Sequence, residues 1–413
     1  MNNAESETRS LLTDYDPTES RNRERRRRPA PKAHPFWRFV FPVVVVLAGA
    51  WTFSLWREGT KAVLDSTDGT VIEIVTDPTQ PGYQVFVDPT PTMLLAHVDG
   101  DELVGVTVLA RTLLDDGGTA VLLSAGLSID GPGTLTLADL YAAGGVDGLE
   151  ERVGLLFGFG FLETAPLTTV EMSPLFELVA PLPLALDDDL ITLNDDATTS
   201  LWLSRGGQQL DAADAATLYA FQNPGEAEAN RTVRQLDIWN SWLTEIGRAD
   251  DLSAAALPFA DGLSPYLRAL GGGTADVEIV PADPVVREGT PTSYALNEAQ
   301  IQWLQEITRR MVPLPVVPKG SDQPLIRLLD GTGDAAVAEQ AREAMIDLGA
   351  QITVLGNASQ FGITRSTVTY YLAENGDKAA KLAASIDADV VFDETPEQPV
   401  DLTVVIGTEW TTK

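Results

Sequence analysis

The longest uncharged stretch of the chain lies near its N-terminus. Residues 39–56 carry no charged side chain, and Trp37, Trp51 and Trp56 lie toward the ends of this stretch. A transmembrane helix needs about 20 mostly apolar residues, and aromatic side chains favour the two membrane interfaces. The pattern therefore predicts a single transmembrane helix over residues 37–57.

The segment before this helix is polar and basic. Residues 1–38 contain nine Lys or Arg against six Asp or Glu. Because positive side chains favour the cytoplasmic side, we expect a cytoplasmic N-terminus, a disordered tail over residues 1–36, and the bulk of the chain outside the cytoplasm. A nucleic-acid patch is the alternative interpretation of the arginines, but the adjoining apolar helix accounts for them better.

A cleaved signal peptide is the alternative to an uncleaved anchor. Ala48-Gly49-Ala50 has the small residues of a cleavage site, and residues 39–47 would serve as its apolar core. Apolar character continues through Trp51 to Trp56, however. We therefore favour an uncleaved anchor over cleavage after Ala50.

Beyond residue 70 the hydrophobic pattern changes first to that of strands and then to that of helices. Short β-type runs separated by Pro and Gly-Asp turns occur at 71–75, 83–87, 93–98, 103–110 and 119–124. Helical spacing follows over 137–161, 211–222, 227–246 and 297–310. These elements predict an α/β domain over residues 70–312.

A proline-rich linker over residues 313–323 predicts a domain boundary. The block behind it, residues 324–410, has the pattern of a small domain whose elements are a strand at 325–330, a helix at 335–348, strands at 351–355 and 367–372, a helix at 377–386, a short strand at 390–392 and a strand at 402–406. This β-α-β-β-α-β order predicts a ferredoxin-like fold with split β-α-β units.

Composition removes several classes of chemistry. The chain has 413 residues and no cysteine, which excludes thiolate catalysis and disulfides, and its two histidines, His34 and His97, argue against a histidine-rich metal site or a Ser–His–Asp triad. The net charge of −32 divides into +3 for residues 1–38 and −35 for the rest. Such an acidic outer portion argues against nucleic acid as a partner, since phosphate binding needs clustered cations.

Two local motifs have structural interpretations. The sequence Gly331-Thr-Gly333-Asp-Ala-Ala336 superficially matches a dinucleotide fingerprint, but it is more typical of a tight turn whose helix is capped by Asp334. The acidic residues 187–189 and 195–196 lack EF-hand spacing and predict a solvated loop, so we expect no metal site.

The C-terminal block resembles the LytR C-terminal domain that follows LytR-CpsA-Psr cell-envelope proteins. The matching strings are IRLLDGTGDAAVAEQAREAMIDLGAQITVLGNAS (326–359), STVTYYLAENGDKAAKLAASI (366–386) and DLTVVIGTEW (401–410). The resemblance covers about 85 residues.

The preceding region, residues 70–312, resembles a diverged LytR-CpsA-Psr domain. The strings that carry the resemblance include MLLAHVDGD (93–101), LLSAGLSIDGPG (122–133), ADLYAAGGVDGLEERVGLLFGF (138–159), VEMSPLFELVAPLPLAL (170–186), QLDAADAATLYAFQ (209–222) and RTVRQLDIWNSWL (231–243). The resemblance implies a central sheet, and it implies binding of a polyprenyl-pyrophosphate glycan and its transfer to peptidoglycan. Active members use arginines and an Asp-held Mg²⁺ for this transfer.

Several of these charges are missing here. The segment where the family has Pro-Arg-Asp reads Ala125-Gly126-Leu127, and Pro91-Thr92 precedes the early strand where an Asp is expected. The family's Tyr-x-Arg position is Gln222, whereas Arg231, Arg234 and Gln235 match its polar pattern. The resemblance thus makes Arg231, Arg234, Gln235 and Gln222 the candidate ligand-binding residues.

These departures favour a non-catalytic, membrane-anchored envelope protein that binds glycan or protein partners and needs no cofactor. Phosphoryl transfer depends on electrostatic positioning, and the missing charges remove much of it. The alternative is a divergent phosphotransferase that uses Mg²⁺ with Arg231, Arg234 and Arg111.

Overall fold

The computed structural model describes residues 75–248, 262–289, 291–394 and 399–410. The predicted tail and transmembrane helix, residues 1–57, and most of the predicted strand at 71–75 lie outside these residues. Within the described part of the chain, no helix is both long and apolar enough to cross a membrane.

The first part of the described chain is a mixed α/β fold. Its elements, numbered in chain order, are β1 (Gln84–Phe86), β2 (Thr92–Asp99), β3 (Glu102–Arg111), β4 (Gly117–Leu123), β5 (Leu127–Ser128), α1 (Leu137–Phe157), β6 (Glu163–Thr168), α2 (Thr169–Phe176), β7 (Leu182–Leu186), β8 (Leu190–Leu193), β9 (Thr199–Leu203), β10 (Gly206–Leu210), α3 (Ala212–Ala220), α4 (Glu228–Arg248), α5 (Leu263–Gly272), β11 (Thr274–Ile279), β12 (Asp283–Val285), β13 (Ser293–Ala295) and α6 (Glu298–Met311).

A five-stranded sheet in the order β11-β4-β3-β2-β6 lies at the centre of this region. Strands β2, β3 and β4 form an antiparallel meander, and β11 and β6 add parallel strands at its two edges. Strands β2 and β3 are buried almost throughout. Strands covered on both faces read as continuous apolar runs, which is why the sequence shows no alternation here.

Successive residues of these strands pack into two separate cores. Met93 and Leu95 face a core that α2, α3, α4 and α5 complete, whereas Leu94 and Ala96 face one that α1 and α6 complete. Because side chains alternate across a strand, the sheet lies between two helical layers. Smaller ribbons, β7–β10, β8–β9 and β12–β13–β5, lie outside the central sheet.

Two α-helices and five strands, with a 3₁₀ turn at Ala373–Asn375, form the described part of the C-terminal block. They are β14 (Leu325–Asp330), α7 (Ala335–Asp347), β15 (Gln351–Asn357), β16 (Thr367–Tyr370), α8 (Gly376–Ile386), β17 (Asp389–Phe392) and β18 (Leu402–Ile406). The element types and most of their bounds are as the sequence predicts. The sheet order is β1-β15-β14-β18-β16-β17.

The predicted ferredoxin-like topology is wrong. In a split β-α-β unit another strand lies between the two that a helix joins, but β14 is the immediate parallel neighbour of β15, and β16 that of β17. Strand β18 instead takes the central position between β14 and β16. Its side chains Leu402, Val404 and Ile406, which share one face of the sheet, are at most 1% exposed.

Strand β1 joins the C-terminal sheet, although it precedes the central sheet in sequence. It pairs antiparallel with β15, and the pairing continues where the Gly82 amide donates to the Ala358 carbonyl at 2.8 Å. The linker 313–323 is also bonded on two sides: the Gly160 amide donates to Val316, and the Val317 amide donates to the Gln351 side chain. The C-terminal block is thus attached through both segments.

His97, on β2, lies in the core next to α3 and α4 and is 1% exposed. Its Nε2 is 2.9 Å from the Thr107 hydroxyl, and its ring lies 4.6 Å from that of Tyr219. Burial lowers the pKa of His97 to about 3, because the charged imidazolium would lose its hydration. The ring is therefore neutral in the folded protein.

This burial predicts an acid-sensitive fold. Below pH 6.5 the unfolded chain protonates His97 while the native state does not. The free energy of unfolding therefore decreases as the pH is lowered, by up to about 1.4 kcal/mol per pH unit. Guanidinium unfolding measures this. From pH 7 to pH 5 the free energy of unfolding of the wild type should decrease by about 2 kcal/mol more than that of His97→Gln, whose side chain does not titrate. Equal losses in the two proteins would contradict a buried neutral His97.

Candidate functional site

Helix α4 carries three of the four candidate residues on one side of its N-terminal half. Arg231, Arg234 and Gln235 are spaced by three and four residues, so they share a helix face. The C-terminal half of the same helix supplies Trp239 and Trp242 to the core, and both are at most 1% exposed. The polar half therefore has a fixed orientation, which places it against the end of α3.

The three side chains bind three successive carbonyl groups at the C-terminal end of α3. Gln235 Nε2 donates to Tyr219 at 3.0 Å, an Arg231 guanidinium nitrogen to Ala220 at 3.4 Å, and one of Arg234 to Phe221 at 2.8 Å. The last carbonyls of a helix have no partner within it, and they attract positive charge. These residues thus terminate α3 and join it to α4.

Gln235 also joins α4 to the central sheet. Its Nε2 donates to the Val104 carbonyl at 3.1 Å, and the side chain is 1% exposed. Gly105 makes this approach possible, since a Cβ at that position would lie 2.9 Å from Gln235 Oε1. Gln235 is thus a buried structural residue with no access to a ligand.

Each arginine is neutralised by a nearby glutamate. Arg234 forms a two-pronged pair with Glu226, with nitrogen–oxygen distances of 2.5 and 2.8 Å, and Arg231 lies 2.5 Å from Glu228. The four side chains are between 6% and 15% exposed. These guanidinium groups therefore already hold anions that the chain itself provides.

The segment between α3 and α4 is organised around Glu226. Burial alone raises the pKa of Glu226, but hydrogen bonds from Arg234 and the Asn223 amide, together with the charge of Arg234, outweigh it and lower the pKa. Gln222 is exposed, and its Nε2 donates to the Glu226 carbonyl at 2.7 Å. Gln222 and Arg234 thus contact this segment directly, while Arg231 and Gln235 bond to the end of α3 beside it.

A small cavity beside Arg234 is strongly acidic. Its volume is about 140 Å³, and its lining includes four carboxyl groups, those of Asp187, Asp188, Glu226 and Asp237, against the one guanidinium. Burial, followed by repulsion from Asp187, raises the pKa of Asp237. Such a lining disfavours a pyrophosphate group, since like charges repel most strongly where water is partly excluded.

An aromatic ring fills the position where the resemblance implies an Arg-Asp pair. A Cβ on Gly126 would lie 3.3 Å from the ring of Tyr294, which is 6% exposed. The Tyr294 hydroxyl accepts a hydrogen bond from the Ala229 amide in the first turn of α4, at 3.1 Å. The phenol oxygen thus already accepts from a helix N-terminal amide that could otherwise donate to an anion.

Arg111 lies elsewhere. It follows Val104 by seven positions on β3, about 23 Å along the strand at roughly 3.3 Å per residue, and it pairs with Asp115. Its guanidinium lies over the ring of Tyr266, 5.7 Å from the centroid. The structure therefore does not bring Arg111 together with Arg231 and Arg234.

Within the acidic motifs, Asp189 and Asp196 accept the backbone amides of Arg205 and Thr198. Among the described residues, no three or more His, Asp or Glu side chains are grouped so that they could hold a metal ion. In the turn after β14, Asp330 accepts the amides of Thr332 and Gly333, and Asp334 caps α7, as predicted. The turn amides that a phosphate would need are therefore already bonded.

Sequence reasoning missed Glu226, Glu228 and Tyr294. A carboxylate three residues before an arginine is a detectable sign of a helical ion pair, and Glu228 has this relation to Arg231. Tyr294 follows Gly126 by 168 positions, and the local sequence contains no sign of their contact.

The C-terminal block matches a known family. Residues 324–410 match the family described as LytR cell envelope-related transcriptional attenuator, which confirms the predicted resemblance for this block. No curated protein sequence matches the chain significantly.

Several solved bacterial structures are similar to part of the chain. TagV from B. subtilis shares 11% identity over 54% of this chain and 97% of its own, with a TM-score of 0.44. TagT from B. subtilis shares 16% identity over 58% of this chain and 95% of its own, with a TM-score of 0.43. TagT has also been solved bound to LIIa-WTA. A transcriptional regulator from Enterococcus faecalis shares 15% identity over 63% of this chain and 95% of its own, with a TM-score of 0.42.

The Glu226–Arg234 pair predicts a specific loss of stability. Glu226→Gln leaves a nearly buried guanidinium without its counter-charge, which should lower the free energy of unfolding by about 3 kcal/mol. Glu245→Gln on the same helix is the control, because its partner Arg248 is 68% exposed and such pairs contribute under about 1 kcal/mol. Guanidinium unfolding followed by tryptophan fluorescence measures both, and equal effects would contradict the structural role.

The contact between Gly126 and Tyr294 predicts coupled substitutions. Gly126→Arg should destabilise the fold by about 2–3 kcal/mol, because the new side chain must displace a packed ring. In a Tyr294→Ala background the same change should cost at least about 1 kcal/mol less. Gly207→Arg is the control, since nothing lies within 4 Å of a Cβ there. Additive effects in the unfolding cycle would argue against the contact.

Proposed function

We propose that this chain is a membrane-anchored bacterial envelope protein whose LytR-CpsA-Psr-like region binds envelope glycan or protein partners without catalysing transfer. The observation that carries the proposal is the engagement of Arg231 and Arg234. Both guanidinium groups bond to the end of α3 and to Glu228 and Glu226. A pyrophosphate would have to displace these glutamates before it could bind either arginine.

The cost of that displacement is electrostatic. A buried carboxylate that loses its arginine keeps its charge in a poorly solvated place, which costs several kcal/mol per ion. The cavity beside Arg234 adds three further carboxyl groups, so an incoming dianion meets repulsion before it gains a contact. Catalysis of phosphoryl transfer needs the opposite arrangement, in which cations are held ready for the developing charge.

The proposed location follows from the N-terminal sequence. An uncleaved helix over residues 37–57, preceded by the basic tail, anchors the chain with a cytoplasmic N-terminus and an extracytoplasmic bulk. An envelope role fits the C-terminal domain that residues 324–410 form. The proposed binding function requires no cofactor, and Mg²⁺ would be needed only by the phosphotransferase alternative.

That alternative has one observation in its favour. Arg231 and Arg234 lie side by side on one face of α4, so a rearrangement of the segment around Glu226 and Glu228 would expose two adjacent cations. Such a pair suits bidentate recognition of phosphate oxygens. Arg111 is too distant to assist them.

A turnover assay separates the two functions. With the full-length chain, a polyprenyl-pyrophosphate glycan, peptidoglycan and Mg²⁺, we expect no transfer above the protein-free rate, while isolated cell-wall material still retains the chain in sedimentation. Arg231→Ala is the diagnostic variant. Transfer by the wild type that disappears in Arg231→Ala would overturn the proposal, and failure to sediment with cell-wall material would remove its glycan-binding part.

A further inference from the structure

The C-terminal sheet ends in an exposed apolar edge strand. Val390, Val391 and Phe392 of β17 are 45%, 43% and 47% exposed, on both faces of the sheet. Within the described residues, β17 pairs only with β16. Exposed apolar edges are usually shielded, because they are templates for pairing with another chain.

The backbone polarity of β17 leaves two residues directed outward. The Asp389 and Asp393 amides donate to Ser366 and Tyr370, on the β16 side, each at 3.0 Å. Because the amide and carbonyl groups of a strand alternate in direction, those of Val390 and Phe392 point away from β16. An added strand would therefore meet two amides and two carbonyls in register.

The surroundings of this edge are acidic. Asp387 and Asp389 lie around the single guanidinium of Arg365, and Asp393 and Glu394 follow the strand directly. Two copies of β17 would bring these carboxylates together, so the edge disfavours self-pairing. The charge instead complements Lys or Arg on both sides of an incoming segment.

The opposite edge of the same sheet is already extended in this way. Strand β1 comes from outside the C-terminal block and adds antiparallel to β15. The sheet therefore accepts a short extended segment at one edge, while β17 at its other edge carries exposed apolar side chains.

We propose that β17 is a docking edge for an extended segment of a partner protein, with alternating apolar residues flanked by Lys or Arg. Main-chain hydrogen bonds supply affinity in such strand addition, and side chains supply selectivity. The proposal specifies the protein partner of the envelope function proposed above. It is independent of Arg231 and Arg234, so the turnover assay does not decide it.

The test uses the full-length chain and the labelled peptide KKVTVTVKK, with EEVTVTVEE and KKGSGSGKK as controls. We expect the basic apolar peptide to bind at least about tenfold more tightly than either control, and more weakly as salt rises. Val390→Pro removes one outward amide without touching the bonds to β16, and should weaken binding about tenfold. Val390→Thr, which keeps that amide, should bind like the wild type.

A second variant tests the charge complementarity without a change to the backbone of β17. Glu394→Lys changes only an exposed charge, and should weaken binding of KKVTVTVKK while it strengthens binding of EEVTVTVEE. Hydrogen exchange should show new protection at Val390 and Phe392 on peptide binding. Equal binding of the three peptides, unchanged binding by a folded Val390→Pro, or protection confined to other strands would each overturn the proposal. Dimerisation through β17 without peptide would identify a second copy as the occupant and would also overturn it.

Discussion

The junction between α3 and α4 determines the character of this protein's candidate site. Three carbonyl groups at the end of α3 need donors, and α4 supplies them through Gln235, Arg231 and Arg234. Two of these donors are cations in a largely buried place, so the junction also requires two anions. Glu226 and Glu228 meet that requirement within the chain. A site whose charges are balanced internally has no unpaired cation to offer a phosphate.

The same junction shows what a polar residue pattern can and cannot reveal. The helical spacing over residues 227–246 predicts α4 correctly, and apolar residues of one predicted face are buried in its C-terminal half, as Trp239, Trp242 and Ile246 are, whereas Val233 of the same face is 45% exposed. The polar face is ambiguous, because arginines that cap a helix and arginines that bind a ligand have the same spacing. The difference lies in the acidic residues around them. Glu228 lies on α4 itself and its spacing from Arg231 reveals it, but Glu226, Asp187 and Asp188 come from other segments. Only the folded chain brings those segments together.

The C-terminal block illustrates a second limit of the sequence. Strands β14 and β18 were predictable to the residue, because short apolar runs between turn residues define their ends. Strand order was not predictable from element order, because the β-α-β-β-α-β succession is compatible with both split and adjacent pairing. In the folded chain β18 lies between β14 and β16, so each helix joins two adjacent strands. The participation of β1 could not be foreseen either, since its exposed residues show no pattern that distinguishes one sheet from another.

The pairing of β1 with β15 has a consequence for how the chain is made. Gln84 and its partner Gly356 are 272 positions apart, so β1 emerges from the ribosome long before the strand that it pairs with. Contacts between distant segments form late and slow the completion of folding. In the interval Phe86, which is 74% exposed even in the finished fold, and the backbone of β1 lack their native neighbour. Synthesis that stops before β15 would leave this strand permanently unpaired, a state that is prone to aggregation and open to chaperones and proteases.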